Sequence, residues 1–218
     1  MANDYVFNDT LPVAPLKIAA LESCKELAQK VNDHIINFRR NDIEVLKKRQ
    51  ENLQYRGYDA DSYLLKCKCP RFGSGEAKGS VEESVRGTDI YAMVDVTNYS
   101  LTYKVSGFTN HMSPDDHYQD LKPIIGATVS TAHRVNVIMP FLYEGRQHKR
   151  THRESLDCAM MLEELVNMGV QNIITFDAHD PRVQNAIPLS GFDNFMPTYQ
   201  FVKALFKHDQ TLHIDKDN

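Results

Sequence analysis

No apolar run in the 218 residues approaches the length that crosses a bilayer, and the opening MANDYVFNDT has no signal-peptide core. Neither a membrane span nor a secretory leader is expected, and the chain reads as soluble and cytoplasmic. Cysteine is scarce. Cys24, Cys67, Cys69 and Cys158 lack the paired spacing of structural zinc ligands. Cys67 and Cys69 are two apart and would share one face of a strand, so reduced, buried thiols of a cytoplasmic protein are expected. Internal repeats and low-complexity tracts are absent as well. So is a strong charge imbalance: the net charge of −4 gives no general attraction to nucleic acid or an anionic membrane, and any anion binding must be local. What is present is ordinary for a globular protein, with 42% hydrophobic and 25% charged residues. The length suits one α/β domain or a tight pair and is enough to bury a core.

Strand-like and helix-like stretches alternate. LKIAAL (Leu16–Leu21) reads as a strand, and Leu27, Val31 and Ile35 then recur at helical spacing, with a cap near Ser23. Residues 41–61 are charged and weakly patterned, and either extend that helix or form a surface insertion. SYLLKCKCPRF alternates like a strand with one wetter face and stops at Pro70; Gly73, Gly75 and Gly79 then mark a flexible loop. DIYAMVDV is a buried strand, followed by a loop of open form over 101–116. Tyr118, Leu121, Ile125, Val129 and Ala132 predict a helix, with Pro123 in or near its first turn. VNVIMPFL is a strand. Ser155–Met168 is a helix with Leu156, Ala159, Met160 and Leu165 on its apolar side, ended by Gly169. NIITF is a further strand. This order argues a parallel sheet flanked by helices.

In such sheets, ligands sit beyond the carboxyl ends of the strands. The loop after VNVIMPFL crowds Arg146, Lys149, Arg150 and Arg153 with His148 and His152 into eight residues. Asp177-Ala178-His179 leaves the end of NIITF. Guanidinium forks suit phosphate oxygens, and an Asp-x-His pair serves either as metal ligands or as an acid–base couple. Together they point to a site for a polyphosphate and a divalent cation. A solvated loop and a structural histidine are the plainer readings of the same residues.

CPRFGSGEAKGSVEESVRGTDIYAMVD resembles a segment of the ribose-phosphate pyrophosphokinases (phosphoribosyl pyrophosphate synthetases) that runs Arg-Phe-x-x-Gly-Glu, then Glu-Ser-Val-Arg-Gly-x-Asp and an apolar strand. The shared positions are Arg71, Phe72, Gly75, Glu76, Glu83, Ser84, Val85, Arg86, Gly87 and Asp89. MPFLYEGRQHKRTHRES is similar to the family's nucleotide loop, IITFDAHDPRVQ to its Asp-Leu-His-Ala segment, and FDNF with Pro197 to its Asp-Asn-Leu segment. ALESCKELAQKV sits where the family opens with a strand and a helix. The likeness covers most of residues 16–205.

The resemblance implies an α/β fold, a three-layer parallel-sheet domain of the phosphoribosyltransferase-like type. It also implies an activity: transfer of the β,γ-diphosphoryl group of ATP to the C1 hydroxyl of ribose 5-phosphate, with Mg²⁺, in a homo-oligomer. Arg146 and Gln147 fall on the family's ATP-contacting pair, and His148, Lys149 and Arg150 continue that loop. Phe72, Ser74 and Glu76 fall on a loop that reaches the ATP of a neighbouring subunit. Asp177 and His179 fall on its metal-site pair, and Asp193 on a nearby aspartate.

This sequence also departs from the family. His148 replaces an aspartate, the residues after His179 lack a Gly-Phe-Phe continuation, and residues 37–61 are an insertion. The family's second domain, with its ribose 5-phosphate loop, has no counterpart among the 218 residues. Residues 1–205 therefore read as the N-terminal, ATP-side domain and 206–218 as the start of an interdomain connection, so that this chain by itself is expected to be inactive. Two other classes remain at this point: a catalytically inert assembly or regulatory relative, and a nucleic-acid binder. The second needs a broad basic face with interleaved aromatics, which the loop after Tyr143 does not supply.

Overall fold

The computed structural model describes residues 12–48 and 55–209. Its strands are β1 (Leu16–Ala20), β2 (Cys67–Lys68), β3 (Ser80–Val81), β4 (Asp89–Met93), β5 (Thr102–Val105), β6 (Phe108–His111), β7 (Arg134–Met139), β8 (Asn172–Phe176) and β9 (Gly191–Phe195). The helices are α1 (Lys25–Lys48), α2 (Pro114–Thr128), α3 (Asp157–Asn167) and α4 (Thr198–His208). Residues 49–54 of the expected insertion, and the expected connection from 210 onward, lie outside the described residues.

Five strands form a parallel sheet in the order β1-β4-β7-β8-β9. The central strands are continuous apolar runs because both faces are covered. On one face α2 and α3 bury Leu121, Ile124, Ile125, Leu162 and Leu165 against Ile90, Ala92, Val135, Val137 and Ile173. On the other, Ala28 and Ile36 of α1 pack with Tyr63 against Ile18 and Met93. The result is the three-layer α/β architecture expected. Residues 63–65 run along the free side of β1, where Ile18 N–H donates to Tyr63 O (2.8 Å) and Leu65 N–H to Ile18 O (2.7 Å). The chain thus leaves β1 on one side and returns through β4 on the other.

Several expectations need correction. The buried stripe of α1 is Ala28, Asn32 and Ile36, one residue on from Leu27, Val31 and Ile35, and Leu27 is 42% exposed. Asn32 explains the shift: its Oδ1 accepts the Tyr63 N–H (2.8 Å), so a polar residue belongs on the buried face. Ser23 does not cap α1; it lies in a short 3-10 turn, Glu22–Cys24, and its Oγ accepts from the Asp95 N–H. The weakly patterned text after residue 41 carries α1 on to Lys48. SYLLKCKCPRF is not one strand: it is broken into a bridge at Leu64, the two-residue β2 and a bridge at Arg71.

The glycine-rich loop is an ordered arm. Arg71 bridges Ala77, and the Phe72 N–H donates to Glu76 O. Residues 102–111 form a hairpin, β5–β6, turned by Ser106 (φ 48°) and Gly107 (φ 85°), the left-handed pair of a two-residue turn. Pro123 lies well inside α2, which starts at a Ser113–Asp116 capping box with Pro114 as its first residue. On α3 the buried residues are Cys158, Met161, Leu162 and Leu165, whereas Met160 is exposed. Gly169 ends that helix with φ 96°, as its position predicted.

All four cysteines are free, and burial pushes their thiols up, to about 12 for Cys24 and Cys69 and about 11 for Cys67 and Cys158. At neutral pH they are protonated, which removes them as nucleophiles. No helix among the described residues is long and apolar enough to cross a membrane.

Candidate functional site

The carboxyl end of β7 runs into residues 140–156, where Glu144 adopts φ 55° and Gly145 N–H donates to Leu142 O. Gln147 is the staple of this loop. Its Nε2 donates to Ser155 O (2.9 Å) and Lys149 O (3.3 Å), and its carbonyl accepts the Cys158 N–H as α3 begins. With the loop closed in this way, Arg146, Lys149 and Arg150 project as exposed cations. The Arg146 guanidinium lies 5.9 Å from the Phe141 ring centre, leaving its donors to the outside.

Beside it, Asp177 leaves β8 in a left-handed conformation (φ 49°), its N–H donating to Phe195 O. Aspartate visits this region more readily than most residues, and such positions cluster at functional sites. The Ala178 N–H donates to Asn194 Oδ1, so the end of β9 holds the turn. Ala178 is buried while Asp177 and His179 are both exposed. The His148 and His179 rings lie 5.1 Å apart, tilted by 57°. The basic loop and the Asp-x-His turn are thus brought together.

Asp180 joins them and was not singled out from the sequence. Its Oδ2 lies 3.4 Å from His148 Nε2, and it accepts from the Arg182 backbone N–H and guanidinium. The Arg182 fork holds the Asp180 carboxyl well below the usual carboxylate range. The signal was Asp-Pro-Arg, an N-cap residue followed by proline at the first helical position. A cleft of about 430 Å³ lies between His148, α3 and Arg182.

Asp193 is not at this edge. It sits in mid-strand, in register with Ile174, and accepts from Asn172 Nδ2 (2.7 Å). Along the strand that is about 10 Å short of Asp177, at roughly 3.3 Å per residue. Among the described residues no group of three or more His, Cys, Asp or Glu is placed to hold a metal ion.

Phe72, Ser74 and Glu76 sit at the tip of the arm, Ser74 Oγ donating to Glu76 Oε2 (2.7 Å) and Phe72 55% exposed. The arm is anchored on α2 through Arg71 and Asp120 (2.9 Å). No hydrogen bond, ion pair or ring contact among the described residues joins it to the basic loop. A second cavity, of about 380 Å³, opens between the arm and the carboxyl end of β1. Its cations are already paired, Lys25 with Glu22, Lys68 with Glu82 and Arg71 with Asp120.

The sequence profile of the N-terminal domain of ribose phosphate pyrophosphokinase matches residues 16–169. The chain belongs to this family. Among curated relatives, the ribose-phosphate pyrophosphokinase of Corynebacterium ammoniagenes is 25% identical over 171 residues, which is 78% of this chain and 42% of that protein. The putative ribose-phosphate pyrophosphokinase 2 of Streptococcus pneumoniae is 30% identical over 142 residues, 64% of this chain and 40% of the relative. The chain therefore spans less than half the length of these relatives. In fold it is similar to the phosphoribosylpyrophosphate synthetase of Mycobacterium smegmatis, with a TM-score of 0.64 at 18% identity, over 89% of this chain and 52% of that one. The parallel sheet is thus that of the ribose-phosphate pyrophosphokinase N-terminal domain.

Proposed function

We propose that this chain is the ATP-side domain of a ribose-phosphate diphosphokinase, which moves the diphosphoryl group of ATP to the C1 hydroxyl of ribose 5-phosphate. The observation that carries the reading is the meeting of exposed Arg146, Lys149 and Arg150 with Asp177 and His179 at one carboxyl edge, in a chain of this family. Negative charge shifts among phosphoryl oxygens during such a transfer, so forked cations stabilise it without covalent help. Arg146 and Arg150 bind the phosphates, while Gln147 keeps the loop closed beneath them. The separation of the arm from the basic loop supports a site completed between copies, with Phe72 stacking on the base and Glu76 binding the ribose of a nucleotide held by a neighbour. Residues outside these 218 hold the ribose 5-phosphate.

The donor set fits Mg²⁺, which takes one or two carboxylates and completes its shell with water and substrate phosphates rather than with a protein cage. Asp177 offers such a carboxylate and His179 a second donor or an orienting group for water. Bound there, the ion would supply charge neutralisation at the phosphates. Asp193 stands too far down β9 to share that role.

Arg146→Ala is expected to weaken ATP binding by about 1.5–3 kcal/mol, the scale of a charged hydrogen bond, and wild-type affinity is expected to fall as salt rises. Calorimetry that finds equal affinity in the two proteins returns the loop to a solvated surface. His179→Ala, titrated with Mn²⁺ and ATP and followed by EPR, is expected to bind the ion more weakly with an altered spectrum. An unchanged spectrum and affinity remove His179 from the metal's surroundings.

A further inference from the structure

The arm is too slight to hold its own shape. Its ladder is the two-residue pair β2–β3 and one bridge between Arg71 and Ala77, and a two-stranded ribbon is at best marginally stable alone. Its base is tied to α2 by Arg71 and Asp120, both nearly buried. The tip, where Phe72, Ser74 and Glu76 project, is contacted from a different element. The Ser106 N–H of the β5–β6 turn donates to Gly73 O (3.4 Å). Gly75 adopts φ 96°, and a Cβ there would stand 2.9 Å from Val105 Cγ2 and 3.5 Å from Tyr103 Cε2, so the hairpin presses on bare backbone.

Arg71 links all three parts. Its Nη1 donates to Gly75 O (2.8 Å) in the tip and its Nη2 to Asp120 (2.9 Å) on α2, while its guanidinium lies 4.3 Å from the Tyr103 ring centre. The Tyr103 hydroxyl in turn donates to Asp116, the residue that closes the capping box of α2. The ring is therefore fixed from behind and offers its face to the guanidinium.

We propose that the β5–β6 hairpin is the seat of the arm, and that Tyr103 and Val105 are positioning residues for the nucleotide-facing turn Phe72–Glu76. The role toward nucleotide rests on the functional reading above; the seating of the arm does not. Val105 wedges against Gly75 and sets how far the turn folds back, and Tyr103 covers one face of the Arg71 guanidinium and so holds it between tip and helix. A turn held in one pose binds nucleotide without first having to be selected from many, and affinity scales with the fraction of arms in that pose.

The test uses the full 218-residue chain and reads two things: hydrogen exchange of the Phe72, Gly75 and Lys78 amides, which are hydrogen-bonded within the arm, and ATP affinity. Tyr103→Leu removes the aromatic face and Val105→Gly removes the wedge. Both are expected to exchange those amides about tenfold faster while core amides such as Ile90 and Ile173 stay protected. Tyr103→Leu is expected to bind ATP about fivefold more weakly, the factor one lost cation–π contact would produce, and Val105→Gly is expected to weaken binding in proportion to the fraction of arms that leave the bound pose. Tyr103→Phe keeps the ring face but loses the hydroxyl's hydrogen bond to Asp116, and is expected to fall between wild type and Tyr103→Leu in both readouts. Unchanged exchange in Tyr103→Leu and Val105→Gly would overturn the seat. Faster exchange with unchanged ATP affinity would overturn the positioning role. A wild-type chain that binds no ATP overturns the functional reading instead, and the exchange comparison still decides whether the hairpin seats the arm.

Discussion

Replacing Asp89 with alanine is expected to cost the fold about 3 kcal/mol. Asp89 opens β4 and is nearly buried, and its carboxylate accepts from Arg134 Nε (2.9 Å), from Arg134 Nη2 and from Asn136 Nδ2 (2.8 Å). Arg134 faces it in register across the β4–β7 pair. Removing one partner of a buried pair costs about 3–5 kcal/mol, because the other charge is left unmatched. The lower end applies here because the Arg134 side chain is 31% exposed and regains some water. Asn136, 1% exposed, still donates to Ile90 O, which limits the further loss. Asp89→Asn keeps one acceptor and should cost about half as much. Urea denaturation checks this: the midpoint should fall with an unchanged slope. A loss below about 1 kcal/mol would mean that the network is a surface pair in energetic terms. In the sequence, Asp89 stood out only as the last residue of a family motif. Its place at the amino end of the sheet, opposite the edge that carries the basic loop, gives it a structural role.

What could be read from the sequence follows from which residues carry their own signal. β4, β7 and β8 were legible because strands covered on both faces become unbroken apolar runs. β9 was not: at the sheet's edge, GFDNF alternates half-buried Phe192 and Asn194 with exposed residues and has no such run. The face of α1 was misplaced by one residue because apolar periodicity does not count Asn32, whose burial depends on a backbone N–H thirty-one residues away. The β5–β6 hairpin passed as a loop although Ser106-Gly107 separates two alternating stretches, a turn signal that needed more weight.

The meeting of the basic loop with Asp177-Ala178-His179 was legible because both leave the carboxyl ends of neighbouring strands of one parallel sheet. Asp180 was hidden since its importance lies in reaching His148, a contact made only in three dimensions. The division between arm and basic loop was equally invisible, because nothing local in either segment states which flank of the sheet it joins.

Gly79 divides the two levels most sharply. Read as one of three glycines in a flexible loop, it should tolerate alanine and even gain about 0.4–1 kcal/mol, since alanine narrows the unfolded ensemble. The structure predicts the opposite sign. Gly79 needs no left-handed backbone, but a Cβ there would lie 2.5 Å from the carbonyl carbon and oxygen of Pro123 and 2.9 Å from the Ile124 nitrogen. These are backbone atoms inside α2, so no flexible side chain can swing aside. Relief requires β3 to lift off α2, which strains the Arg71–Asp120 anchor of the arm. Overpacking of this kind typically costs about 1–3 kcal/mol, and contact with helix backbone places Gly79→Ala near the top, at about 3 kcal/mol. Gly73 supplies the comparison within the same arm: a Cβ added there would meet nothing within 4 Å, so Gly73→Ala should leave stability unchanged or slightly raised. Parallel urea denaturation of the two variants decides the matter. If both shift upward together, the arm is loose at its base and the close approach to Pro123 does not exist in solution.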